Sequence, residues 1–124
     1  MIKLLVDEAY AFDYLSILDL KRQKSSDSYD AWINCYKYLQ NQFDNDKWLS
    51  MIYSSEYKEM LKANTLTFDA VEKAKNNEVS AQYVDECNYL RYKAKQNFQK
   101  NFFSESLSEL KLGYEKYAHK SRTV

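Results

Sequence analysis

A chain of 124 residues with no proline and a single glycine, Gly113, lacks the residues that tight turns demand. Short β-hairpin loops need residues at positive φ, above all glycine, and proline pre-sets the common turns, so an antiparallel β architecture would be short of its turn chemistry. The chain therefore reads as all-α. Its length is that of one domain, residues 1–124, long enough to enclose a core without disulfides or metal. A content of 45% hydrophobic and 16% aromatic residues separates it from disordered chains, although 29% of its residues are charged.

Apolar residues recurring every three or four positions divide the chain into five or six helices. The first is expected from about Lys3 to Lys24, where Ser25-Ser26-Asp27-Ser28 competes for backbone hydrogen bonds and ends it. The second runs from about Tyr29 to Phe43, with Trp32, Cys35 or Tyr36, Leu39 and Phe43 on its apolar face. Asp44-Asn45-Asp46 caps a third, expected from Lys47 to Ala63 with Trp48, Leu49, Ile52, Tyr53, Tyr57, Met60 and Leu61 at helical spacing. Asn64-Thr65-Leu66-Thr67 reads as an interruption, with Thr67 capping a short helix to Lys75. Asn76-Asn77-Glu78 is expected to turn the chain into a long helix from Ser80 to Phe103. A last helix is expected from Ser104 or Ser106 to His119: Ser106-Leu107-Ser108-Glu109 has the capping-box spacing, while Gly113 weakens the interior by about 1 kcal/mol relative to alanine. These elements predict a compact bundle whose central N-terminal helix packs on the long late helix. Ile2–Val6 has the alternative of a short strand, which would need another chain to pair with.

Residues 4–20 hold the most informative pattern. On a helical wheel at about 100° per residue, apolar residues occupy three stripes and leave little circumference for water, as in a helix central to its domain. Asp13 interrupts the stripe of Val6, Ala9, Ile17 and Leu20; Glu8 lies among Leu5, Phe12 and Leu15; Asp7 shares a side with Ala11, Tyr14 and Leu18. An unpaired carboxylate in a core costs several kcal/mol, so Asp13 calls for a partner. The late helix offers one. Val84, Cys87, Ala94, Phe98 and Phe102 form an apolar stripe with Arg91 in its middle, flanked by Asn88 and Lys95, whereas Asp85, Glu86, Lys93 and Gln96 fall on the opposite side. A cluster of Asp7, Glu8 and Asp13 with Arg91 and Lys95 has three readings. It fixes the register of two helices, or it lines a pocket in which the cations hold a small anionic ligand or the acids a cation, or the acids simply point into solvent at a helix end.

Composition excludes several functions and leaves others open. Eighteen basic and eighteen acidic residues balance, which argues against a nucleic-acid binder driven by phosphate neutralisation. The charges are unevenly placed: residues 1–60 carry seven basic and ten acidic residues, 61–90 three and five, 91–124 eight and three. Either acidic early helices pack beside a basic late one, or Lys111, Lys116, Lys120 and Arg122 form a basic face for an anionic partner. No segment has about 18 uninterrupted apolar residues, and Asp7 and Glu8 break up what would be a signal peptide, so a cytoplasmic protein is expected. Cys35 and Cys87 are too few and too widely spaced for a metal motif and read as buried thiols. His119 is the only histidine, so neither a Glu-x-x-His di-iron bundle nor a histidine-based triad can be assembled, and one glycine rules out a glycine-rich phosphate loop. No metal and no cofactor is expected.

One enzymatic resemblance survives these exclusions. Glu56-Tyr57-Lys58-Glu59 resembles the first half of the acid pattern of all-helical nucleotide pyrophosphatases of the MazG-like kind, which hold Mg²⁺ with Glu-x-x-Glu on one helix and Glu-x-x-Asp on a later one. The nearest second half is Gln82-Tyr83-Val84-Asp85, with Glu86 adjacent, and Gln82 stands where a ligand is needed. The resemblance implies a Mg-dependent nucleotide pyrophosphohydrolase-like activity. The leading expectation is different: a regulatory or interaction protein binding a protein partner or a second copy of itself. Its twelve tyrosines, among them the helix-spaced pairs Tyr10 and Tyr14, Tyr53 and Tyr57, and Tyr89 and Tyr92, suit boundary packing and protein interfaces alike.

Overall fold

The computed structural model describes residues 1–107. Five α-helices and no strand occur among the described residues: α1 (Glu8–Lys24), α2 (Tyr29–Gln40), α3 (Asn45–Ile52), α4 (Ser55–Lys75) and α5 (Ala81–Phe102), with a single 3-10 turn, Ser26–Ser28, between the first two. The long helices α4 and α5 make the most extensive contact, and α1 lies against α2, α4 and α5, giving a compact all-α bundle. No described helix is long and apolar enough to cross a membrane.

Side-chain caps set several boundaries. Asp44, Ser54 and Ser80 each accept a hydrogen bond from the backbone N–H three residues on, at 2.8, 3.0 and 3.1 Å, and so satisfy donors that the first helical turn leaves open. The turn between α4 and α5 has Asn77 in the left-handed region at φ 60°, a conformation asparagine tolerates better than most residues. The Glu78 N–H then donates to the Lys73 carbonyl and the Asn77 N–H to that of Ala74, the pairing of a Schellman ending.

Three sequence-based boundaries are corrected. First, α1 begins at Glu8, not Lys3, because its start is fixed from outside. The Asp7 carboxylate accepts from the Leu107 N–H and the Ser106 hydroxyl, both at 2.9 Å, and the Ala9 N–H donates to Oε1 of Gln99, also at 2.9 Å. Residues 1–6 are exposed and take neither the helix nor the strand. Second, the helix expected over Lys47–Ala63 is broken at Tyr53-Ser54, where Ser54 donates to the Met51 carbonyl and caps α4. Third, Asn64–Thr67 does not interrupt. The Thr65 and Thr67 hydroxyls return to the carbonyls four residues back, at 2.9 and 2.8 Å, and Asn64 turns inward, so α4 runs unbroken for 21 residues. Ser104–Leu107 are not helical, and the rest of the expected closing helix, with Glu109, Gly113, His119 and the Lys111, Lys116, Lys120 and Arg122 face, lies outside the described residues.

The core is aromatic and centres on Phe12. Its ring lies 4.7 Å from Phe98, 5.8 Å from Trp48 and 5.9 Å from Phe43, distances at which tilted rings attract beyond simple burial. Trp48, Phe12, Phe98, Leu15, Met51 and Met60 are all fully enclosed. Lys47 fastens α3 to the end of α5: its ammonium donates to the Phe102 carbonyl at 2.7 Å and lies 5.0 Å from the Phe103 ring.

Candidate functional site

A polar seam crosses this apolar interior where α1 meets α4 and α5. Asp13 occupies the apolar stripe of α1 and is 7% exposed; Ser16 beside it is fully buried. Asn64 of α4 bridges the two, its amide nitrogen donating to Asp13 Oδ1 at 2.9 Å and to the Ser16 hydroxyl at 2.6 Å. The Ser16 hydroxyl in turn donates to the Asp13 carbonyl at 2.7 Å. From α5, Arg91 Nη2 approaches Asp13 Oδ2 at 3.5 Å, while Nη1 donates to Asn88 at 3.2 Å. Charge-assisted pairs at full strength stand near 2.8 Å, and the Arg91 side chain is 27% exposed, so Asn64 rather than Arg91 is the closer partner of the buried carboxylate. Arg91 Nε is buried and has no partner among the described residues.

The other acids lie nearer the start of α1 and hold different contacts. Glu8 accepts from Gln99 Nε2 at 2.9 Å, and the same nitrogen donates to the Glu105 carbonyl at 2.7 Å. Asp7 is occupied by Ser106 and Leu107. Lys95 stacks its ammonium 4.4 Å over the Tyr10 ring. Of the five residues named from the sequence, Asp13 and Arg91 meet one another, whereas Glu8 meets Gln99 of α5, Asp7 meets Ser106 and Leu107 after α5, and Lys95 lies over Tyr10. Asn64, Ser16 and Gln99 complete the seam and were not singled out in the sequence. By its local sequence Asn64 reads as a helix breaker, and buried amides leave no mark on an apolar period.

Beside the seam an open hollow of about 710 Å³ is bordered by Asp7, Tyr10, Lys93, Lys95, Asn97 and Lys100. Three lysines and several amides there face two carboxylates, Asp7 and Glu105, so the hollow is polar and of mixed charge.

A second polar pair ties α1 to α2 on the far side. Arg22 bridges Asp19 at 2.9 Å and spreads its guanidinium 3.9 Å from the Trp32 ring. Burial, reinforced by the Asp19 charge, pushes the Tyr57 hydroxyl far above its ordinary ionisation range. Burial likewise raises the thiols Cys35 and Cys87, which are both unbridged.

The acids of the pyrophosphatase-like pattern are placed apart. Glu56 accepts from Asn101 at 3.0 Å near the end of α5, and a hydrogen bond to its own backbone N–H holds its carboxyl below the usual range. Asp85 lies sixteen residues before Asn101 on the same helix, about 24 Å away at the helical rise. No group of three or more His, Cys, Asp or Glu that could hold a metal ion occurs among the described residues. The exposed tyrosines are dispersed as well: Tyr14 on α1, Tyr29 and Tyr38 on α2, Tyr53 after α3 and Tyr83 on α5, while Tyr57 and Tyr89 are buried. Tyr29 and Tyr38 are nine residues apart, which sets them on opposite sides of one helix.

Among the described residues, fold and seam together define an all-α bundle of five helices with a buried polar joint between α1 and the α4–α5 hairpin. No protein-family model, curated protein or solved structure matches this chain.

Proposed function

We propose that this chain acts by binding another polypeptide, through apolar surface that the described helices leave uncovered. One observation carries the reading. In the segment before α1, Ile2, Leu4 and Leu5 are 86%, 77% and 92% exposed, and Met1 and Val6 are exposed beside them. Single exposed apolar residues are ordinary, whereas five within six residues make a contiguous patch of the kind that marks interaction sites. Exposed Tyr14 and Tyr53 add amphipathic surface suited to the rim of an interface. The thiols Cys35 and Cys87 fit a reducing, cytoplasmic setting, and a second copy of the chain is one form the partner can take.

The test is a photo-crosslinking amino acid in place of Leu4, activated in the producing cell. A discrete covalent adduct with a polypeptide is expected, with no such adduct from the same group at the exposed polar position Lys62. Absence of any adduct at Leu4 contradicts the proposal.

A second reading rests on the lysine-bordered hollow, whose volume suits a small anionic ligand such as a nucleotide. A rise in melting temperature with nucleotide, lost in Lys93→Ala and Lys100→Ala, would favour it over protein binding.

A further inference from the structure

We infer that the polypeptide bound by the Met1–Val6 segment is a second copy of this chain, and that the segment seats on the tip of the partner's α4–α5 hairpin. The inference rests on the protein-binding reading above and assigns its partner.

Among the described residues, two open apolar surfaces lie at opposite ends of the bundle. One is the segment itself, rooted at Asp7 beside Gln99 and Leu107 near the end of α5. The other is the hairpin tip, where Val71, Ala74, Ala81 and Val84 line an open hollow of about 400 Å³ whose only charged border is Lys75. Phe68, one turn before Val71, is 40% exposed and Val71 is 37% exposed, so helical residues of core type stand in water there. Lys24 lies 4.7 Å over the Phe68 ring and marks where α1 ends against the hairpin.

Reach excludes the segment of the same chain. Val84 precedes Gln99 by fifteen residues of α5, about 22 Å along the helix. Leu4, Leu5 and Val6 lie within three residues of Asp7, no more than about 10 Å when fully extended. The hollow beside Asp7 is bordered by three cations, Lys93, Lys95 and Lys100, and two acids, Asp7 and Glu105, so it is a charged surface and a poor seat for Leu4, Leu5 and Val6. At the tip, Lys75 is already bridged to Glu72 at 3.2 Å, and exposed Glu78 offers Lys3 an opposite charge. Because segment and tip sit at the two ends of one bundle, an antiparallel pair satisfies both at once. Each segment meets the other copy's tip, and the contact closes on a two-fold axis instead of growing into a filament.

The experiment uses the whole chain. Sedimentation of the unaltered protein is expected to give twice the mass of one chain at micromolar concentration. Leu4→Asp and Val71→Asp, which touch different ends, are each expected to weaken the dimer at least tenfold while helical content is retained. Mixing Leu4→Cys chains with Val71→Cys chains, both with Cys35→Ser and Cys87→Ser, should give a link through a short bifunctional reagent that neither chain gives alone. An unaltered chain that stays monomeric overturns the inference, as do links within the Leu4→Cys or Val71→Cys chains alone. A cellular adduct at Leu4 with a different protein would sink the second copy as partner and leave the protein-binding reading standing; no adduct at all would remove both.

Discussion

The two ends of the α4–α5 hairpin are built from similar residues and treated differently. At the base, Met60, Ala63 and Asn64 of α4 and Ala94 and Phe98 of α5 are closed over by α1, with the aromatic cluster of Phe12, Trp48 and Phe43 alongside. At the tip, Phe68 and Val71 repeat the apolar spacing but stay 40% and 37% exposed, with only the Lys24 side chain of α1 laid over the Phe68 ring and Val84 half-buried beside them. The base shows that this chain can bury aromatic and aliphatic residues completely when a third helix is present. Among the described residues the exposed tip therefore reflects missing cover and not poor packing, and this is the ground on which association is proposed.

The comparison can be broken at several points, beginning with the base. Phe12→Ala removes the ring at the centre of the core and should cost about 3–5 kcal/mol, measured by urea unfolding. If the cost is below 1 kcal/mol, the base is no better packed than the tip. Asn64→Leu leaves the Asp13 carboxylate and the Ser16 hydroxyl short of their donor and should cost about 1–3 kcal/mol. Arg91→Met should cost less, within about 1 kcal/mol, because the ion pair is long and partly open to solvent. A larger loss for Arg91 than for Asn64 would reverse the order of partners assigned to Asp13.

Alkali tests the base by another route. The Tyr57 hydroxyl ionises at higher pH in the folded chain than in the unfolded chain, so the folded state holds its proton more tightly. Its contribution is fully present below pH 10, the unfolded value, and is lost as pH rises from there toward the raised folded value. Stability should fall along that limb, and Tyr57→Phe should flatten it. The smallest effect belongs to the tip: Val71→Ser should change the stability of the dilute chain by no more than about 0.5 kcal/mol, the range of ordinary surface substitutions.

Much of this arrangement is legible in the sequence, for physical reasons that can be named. Helical class follows from missing turn residues, and the inward direction of Asp13 and Arg91 follows from the apolar stripes that contain them. The α4–α5 turn is written in Asn76 and Asn77, since asparagine accepts the left-handed conformation. What failed was local reading of polar residues. Asn64, Thr65 and Thr67 favour breaks when their side chains compete for their own backbone, yet here the threonines bond back along the helix and Asn64 bonds across to α1. Ser54, one serine among many, ends a helix because Tyr57 offers it a backbone donor in the right place. The start of α1 depends on Gln99, Ser106 and Leu107, some 90 to 100 residues away, and no local pattern encodes that.

Hydrogen exchange along α4, measured on the whole chain at low and at high protein concentration, tests the central claim most directly. Amides of residues 59–64 should be equally protected at both concentrations, because α1 already covers them. Amides of residues 68–75 should gain protection as concentration rises and lose that gain in Leu4→Asp. Protection at the tip that ignores concentration, or that already equals the base in dilute solution, would contradict the claim that this surface is held open for a second chain.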